Sequence, residues 1–327
     1  MKALKSLTSF EATIDRYLPH QRALGKQMKT PEFVLRRLVR QLLERGTADL
    51  NAESFEWWQR SQSQLSPNTR RQNLMIVYRV CRYRCRTEPD CFVPDPLTFP
   101  RKKPAIIPVI VHPESIAKIL AAVDGLKARS AFPLRKEVFR FAVILLYTTG
   151  MRLGEVTRLT LNDIDLREGV VRIRGTKFQK SRFVPLASSA RQAAKRYLSH
   201  RLAPPWDVAE DASLFGHHHG CERFRGYAKE ALGHAIRNLF MLAGVQGEYG
   251  QTPRVHDLRH SFAVQALLRW YRNGLDVQAK LPHLSIFMGH ASIASTAYYL
   301  HFIPEVAAIA SRKFESHFHR NALRRVA

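Results

Sequence analysis

The 327-residue chain is short of acid: it carries 27 Asp and Glu against 52 Lys and Arg, a formal net charge of +25. No Asp/Glu pair stands at a spacing suited to Mg²⁺, which argues against two-metal hydrolysis. A Gly-x4-Gly-Lys-Ser/Thr loop and a clear dinucleotide fingerprint are missing too, so no nucleotide cofactor is expected. The longest apolar run, 141–147, falls far below the roughly 18 residues that span a bilayer. Met1-Lys2-Ala3-Leu4-Lys5 leads into polar residues and not into a signal-peptide core. The expectation is a cytoplasmic protein with no metal and no cofactor. Cysteine is sparse: Cys81, Cys85 and Cys91 lie close together and Cys221 stands alone. Their spacing is not Cys-x2-Cys and no His pair follows, so reduced structural cysteines are expected over a zinc site. His217-His218-His219 has no carboxylates or Cys pairs beside it and reads as a loop. Internal repeats and low-complexity segments are missing.

What the chain has in excess is positive charge. With 45% apolar residues it can fill real cores. The charge surplus favours a polyanionic partner; DNA, RNA and an anionic membrane surface all fit.

The organisation expected is mainly α with a small β-hairpin or sheet. Residues 1–91 read as a compact helical unit. Phe10, Ile14, Tyr17 and Leu18, then Phe33, Val34, Leu38, Leu42 and Leu43, recur at helical spacing. Thr30 before Pro31 is expected as an N-cap, and Asn51 and Ser66 open two further helices. The fourth helix carries Arg70, Arg71, Arg79, Arg82, Arg84 and Arg86 with almost no acid between them, a face suited to phosphate contact. Residues 92–111 hold Pro94, Pro96, Pro100, Pro104 and Pro108 around Arg101-Lys102-Lys103. Repeated proline disfavours helix and central strand, so this is a semi-rigid basic linker.

A second domain, 112–327, follows. Its strongly apolar 134–149 helix stops at Gly150. The only clear β signal is a hairpin over 169–186 with a basic tip carrying Lys177 and Lys180. Helices are expected over 188–200, 223–243, 255–271, before Met288, over 292–301 and over 304–319, with an extended helix and loop through 270–282. The groups offered for chemistry are Arg, Lys, His and Tyr, which stabilise a phosphoryl transition state without metal. His256 and Arg259, three apart on a helix, share a face. His260 and His283 read as helix-face or core residues.

Four ordered blocks carry a family resemblance. They are Thr149-Gly150-Met151-Arg152-Leu153-Gly154-Glu155, the Lys177 hairpin ending Val184-Pro185-Leu186, His256-Asp257-Leu258-Arg259-His260, and Gly289-His290 with Tyr299 nine residues on. Together they resemble the tyrosine recombinase (phage integrase) family, with the Xer recombinases as a close pattern. The resemblance covers about 148–301. It implies that Arg152 and Arg259 hold the scissile phosphate, that His256 and His290 complete the cradle and that Lys177 protonates the leaving 5′-oxygen. It implies further that Glu155 orients its neighbours and that Tyr299 forms a 3′-phosphotyrosyl bond. His290 spacing favours Tyr299 over Tyr298, and the strand favours Lys177 over Lys180, which would then contact DNA phosphate. The resemblance implies a tetramer on two double-stranded DNA sites working through a Holliday junction, with a related recombinase or a DNA-bending protein as further partners, a nucleoid-associated location and no membrane partner. Type IB topoisomerase-like relaxation and a silent DNA-binding protein stay open as alternatives.

Overall fold

The computed structural model describes residues 9–47, 49–103, 107–127, 132–175, 181–204, 206, 208–219, 223–290 and 292–302. The chain divides into two compact units, Met1–Ile106 and Ile107–Ala327.

The first unit holds helices α1 (Ser9–Ala23), α2 (Lys29–Glu44), α3 (Ala52–Ser61) and α4 (Pro67–Arg84). Phe10, Ile14 and Leu18 of α1, Leu35, Leu38 and Leu42 of α2, and Leu74, Val77 and Cys81 of α4 form its core, each at the three- or four-residue spacing of one helix face. Asn51 caps α3 in a capping box with Ser54, and the Ser66 hydroxyl accepts from Thr69 N–H at 3.3 Å. Thr30 is not a cap: α2 begins at Lys29 behind Met28, so Pro31 lies within the first turn, where its missing N–H has no partner to lose.

The arginine run divides. Arg84 follows Leu74, Val77 and Cys81 on the inward face and is buried. There it pairs with Asp49 at 2.6 Å and Glu88 at 2.7 Å, which removes it from the phosphate-facing set. Arg79, Arg82 and Arg86 are exposed; Arg70 and Arg71 are half-buried, and Arg71 donates to the Pro100 carbonyl at 3.1 Å. Cys81, Cys85 and Cys91 are free thiols, and Cys221 lies outside the described residues. Within 92–111, Phe92, Val93 and Phe99 join the first core, whereas Val109 and Val111 are buried in the second unit. Lys103 N–H donates to Asn68 Oδ1 at 2.9 Å, and Arg101, Lys102 and Lys103 are exposed.

The second unit is built on α6 (Arg135–Thr149), which is buried along nearly its whole circumference. Around it stand α5 (Pro113–Asp124), α8 (Ser188–Arg201), α9 (Lys229–Leu242) and α10 (Val255–Arg272). The short α7 (Leu153–Val156) follows α6 directly. Strands β1 (Ile164–Asp165), β2 (Val170–Ile173) and β3 (Arg182–Pro185) form an antiparallel sheet with Val171 opposite Val184. The hairpin tip, 176–180, lies outside the described residues.

Three expectations are corrected here. Residues 217–219 are strand and not loop: β4 (Gly216–His219) pairs with β5 (Arg223–Gly226), and the helix expected from 223 begins at Lys229. Gly216 faces Gly226 across this ladder, and a Cβ on Gly216 would stand 2.4 Å from the Phe224 ring. That close approach is a long-range fact that no local pattern announces. The helix expected before Met288 is α11 (Val277–Met288), which runs through Pro282 behind an Asp276 cap. The 292–301 helix is one turn, α12 (Ala294–Ala297), followed by a 3-10 turn over Tyr298–Phe302. The helix expected over 304–319 lies outside the described residues.

Candidate active site

Two helix ends build the site. Gly150 terminates α6 at φ +61°, and Gly289 terminates α11 at φ +67°. Both are left-handed conformations that glycine adopts without Cβ strain. Each leaves carbonyls at the end of a helix, and an arginine from elsewhere takes them. Arg259 of α10 donates from Nη1 to Gly150 O at 2.5 Å and from Nη2 to Met288 O at 2.7 Å. Arg152, just after the first turn, donates from Nη2 to Gly289 O at 3.0 Å. Arg259 is 2% exposed, whereas the Arg152 side chain is 36% exposed and opens to solvent.

Glu155 is the acid of this cluster. Its carboxylate, 3% exposed, accepts the Arg152 main-chain N–H and Nη1, each at 2.9 Å. It also accepts Arg182 Nη1 at 3.1 Å and Nη2 at 2.8 Å. Burial alone would raise its pKa, but the hydrogen bonds and charges of Arg182 and Arg152 hold it below the ordinary carboxylate value.

The start of α10 is fixed by Asp257, which is buried and accepts Arg254 N–H at 2.8 Å. This orients His256, Arg259 and His260 along one helix. The His256 and His260 rings stand 4.8 Å apart at 90°, and His260 lies 5.4 Å from the Tyr299 ring. The His290 ring stacks with the Tyr299 ring at 6.1 Å, and its Nδ1 is 2.7 Å from Thr296 Oγ1. Ala263, Val264, Leu267 and Leu268 of α10 pack with Val277, Leu281, Leu284 and Met288 of α11, and Tyr299 belongs to this cluster. Tyr299 is 3% exposed and Tyr298 36%.

The field follows from this crowding of cations. Burial raises the Tyr299 phenol above its ordinary value, and the charge and hydrogen bond of Arg259 and the charge of Arg152 offset only part of that rise. Burial first, then Arg259 and Arg152, lowers His290 to about 4. Burial and then His256 lowers His260 to about 4. Desolvation and then Arg259 lowers His256, although its outer edge is exposed. Arg259 itself falls to about 10 through burial and Arg152. The downward shifts keep His260 and His290 neutral near pH 7, so the arginines supply the positive field.

The structure thus brings Arg152, Glu155, His256, Arg259, His290 and Tyr299 into one cluster. Lys177 and Lys180 lie outside the described residues. Arg70, Arg71, Arg79, Arg82 and Arg101-Lys102-Lys103 belong to the first unit. Two participants were not singled out from sequence, Arg182 and Thr296, and neither left a signal. His260, read as a helix-face or core residue, lies one helical turn from His256 and beside the Tyr299 ring. Among the described residues no group of three or more His, Cys, Asp or Glu is arranged to hold a metal ion, and no helix is long and apolar enough to cross a membrane.

Comparison with known proteins bears on the family and the fold. The profile of the Phage integrase family matches residues 111–305. The chain is 30% identical over 310 residues to y4rB of Sinorhizobium fredii (strain NBRC 101917 / NGR234), a protein named for integrase/recombinase function. That match covers 94% of this chain and 98% of y4rB. It is 32% identical over 208 residues to tyrosine recombinase XerD of Halalkalibacterium halodurans, covering 64% of this chain and 62% of that protein. Among solved structures, the Tn1549 transposon integrase in complex with transposon right end DNA shares the fold, with a TM-score of 0.64 at 18% identity over 92% of this chain and 98% of that one. The XerH site-specific recombinase bound to difH substrate has a TM-score of 0.58 at 20% identity, over 85% of this chain and 77% of that one. The chain belongs to the phage integrase family, the tyrosine recombinases.

Proposed function

We propose that this protein is a site-specific DNA recombinase that cleaves and rejoins duplex DNA through a 3′-phosphotyrosyl bond on Tyr299. The observation that carries the reading is the buried Tyr299 phenol under the charges of Arg259 and Arg152, with the rings of His260 and His290 beside it. A phenol with a free pKa near 10 is a poor nucleophile at neutral pH. A positive cradle favours its anionic form and the developing charge on phosphorus together.

In this reading Arg152 and Arg259 bind the non-bridging oxygens of the scissile phosphate. Tyr299 Oη attacks phosphorus, and the bond from phosphorus to the 5′-oxygen breaks. The tyrosine proton passes to neutral His256 or to water. Lys177 donates a proton to the leaving 5′-oxygen. His290, held by Thr296, completes the cradle, and Glu155 orients Arg152. The new phosphodiester on tyrosine keeps the energy of the old one, so a 5′-hydroxyl can reverse the step without ATP or metal. Strand exchange between two sites then proceeds through a Holliday junction in a tetramer, with a related recombinase or a DNA-bending protein as a further partner. The exposed Arg79 and Arg82, the half-buried Arg70 and Arg71, and Arg101, Lys102, Lys103 and Lys180 contact the phosphate backbone. The site of action is the nucleoid.

The test is a set of nicked suicide duplexes tiled across the DNA that flanks the gene, incubated with the protein in EDTA. The reading predicts a covalent protein–DNA adduct on one or more of them. Relaxation of supercoiled DNA at unrelated sequences, with no preferred duplex, would replace it with a topoisomerase reading.

A further inference from the structure

Arg182 opens β3 and touches none of the reacting atoms named above. Its side chain is only 11% exposed. Nη1 and Nη2 each donate to one oxygen of Glu155, at 3.1 and 2.8 Å, and Nε donates to the Phe287 carbonyl at 2.9 Å. Glu155 passes the connection to Arg152, and Arg152 reaches the Gly289 carbonyl. The path from Phe287 through Arg182, Glu155 and Arg152 to Gly289 begins and ends on the last turn of α11. Gly289 is fitted to it: a Cβ there would stand 2.7 Å from Arg182 Nη1.

The consequence falls on Arg152. An arginine and a carboxylate left to themselves pair edge to edge through two parallel hydrogen bonds. In this site Arg182 occupies both Glu155 oxygens in that manner. Arg152 keeps one side-chain contact with Glu155 and one with Gly289 O. A guanidinium has five N–H groups, so the others of Arg152 remain for a ligand, on a side chain open to solvent. Two cations on one carboxylate also leave the cradle with a positive charge.

We infer that Arg182 is a positioning residue: by holding Glu155 at both oxygens it keeps Arg152 turned to present its free N–H groups to phosphate. The inference rests on the reading that Arg152 binds the scissile phosphate.

Orthovanadate, a tetrahedral oxyanion of phosphate shape, probes the cradle without DNA. Calorimetric titration of the full chain compares wild type, Arg182→Lys, Arg152→Lys and the double variant. Lysine keeps the charge but cannot span two carboxylate oxygens and a carbonyl. Arg182→Lys is expected to weaken vanadate binding about tenfold, and the double variant no further than Arg152→Lys alone, because Arg182 acts through Arg152. Losses that multiply, an unchanged affinity in Arg182→Lys, or a wild type that takes up no vanadate would each overturn the inference. Should Arg182→Lys not fold, Arg182→Gln, which retains a donor for the Phe287 carbonyl, takes its place in the cycle. On a duplex that wild type cleaves, a methylphosphonate at the scissile position removes the charged oxygen, so the Arg182→Lys deficit in cleavage rate should shrink to within about threefold. An equal deficit on both substrates marks a purely structural role and contradicts the inference. A wild type that binds vanadate but forms no adduct on any duplex defeats the recombinase reading, while the vanadate cycle still decides this one.

Discussion

Arg152 and Gly289 are joined by a 3.0 Å hydrogen bond, guanidinium to carbonyl, across 137 positions of the sequence. Arg259 makes the same kind of connection to Gly150 and Met288. The arginines that face phosphate in the proposed chemistry are therefore also the fasteners of two helix ends. Losing one should cost structure and chemistry together, in proportions set by its burial.

Arg259→Ala tests the buried one. Two carbonyls lose their donor, and stability should fall by about 1–3 kcal/mol for each acceptor left unsatisfied. Urea denaturation measures this. Adduct formation should fall by about a hundredfold or more, as for loss of a transition-state donor. Arg259→Lys should recover little, because one ammonium cannot reach both carbonyls in the same geometry. Full activity in Arg259→Lys would contradict the bidentate role.

Glu155→Gln leaves Arg152 and Arg182 facing a neutral acceptor in a buried site. Removing one member of such a group is expected to cost about 3–5 kcal/mol. The carboxyl is held below its ordinary pKa, so its contribution is present above the unfolded value and is lost as pH falls through the folded one. Wild type should therefore lose more stability on acidification through that window than the Gln variant, as measured by unfolding midpoints at matched ionic strength.

Gly289→Ala and Gly46→Ala separate backbone strain from crowding. Both positions have positive φ, +67° and +71°. Nothing lies within 4 Å of a Cβ on Gly46, so that change should cost only the backbone term, about 1–2 kcal/mol. A Cβ on Gly289 meets Arg182 as well, and this variant should lose both more stability and adduct formation. Equal losses at the two sites would argue against a fitted contact at Gly289.

The geometry of this core was only partly legible from sequence. Arg152, His256, Arg259, His290 and Tyr299 were expected together through the resemblance of four ordered blocks, and the structure brings them together; only His256 and Arg259 are paired by helical spacing itself. Arg182 was hidden because its partners are Glu155, far back in the chain, and the carbonyl of Phe287, and a backbone acceptor leaves no mark on side-chain pattern. Arg84 was misread for the opposite reason: a charge run suggested an exposed face, while helical spacing from Leu74, Val77 and Cys81 turned it inward. The β4–β5 hairpin depends on Gly216 meeting Gly226, a pairing that local propensity does not encode.

Acid should destabilise the second unit through its histidines. His260 and His290 fall to about 4 in the folded protein, from an unfolded value near 6.5. Between pH 6.5 and about 4 the unfolded chain takes up protons that the folded one does not, so stability drops as pH falls through this window. Carboxylates act in the same direction, so the informative quantity is the difference between wild type and the His260→Asn and His290→Asn variants. Each variant should show a shallower loss over this window; parallel curves would contradict the shifts.

Tyr299 as nucleophile is the central claim, and peptide mapping of the trapped adduct tests it most directly. After nuclease and protease digestion, mass spectrometry should find the residual nucleotide on Tyr299, with the adduct abolished in Tyr299→Phe and retained in Tyr298→Phe. A nucleotide on Tyr298, or an adduct that survives Tyr299→Phe, would contradict the account.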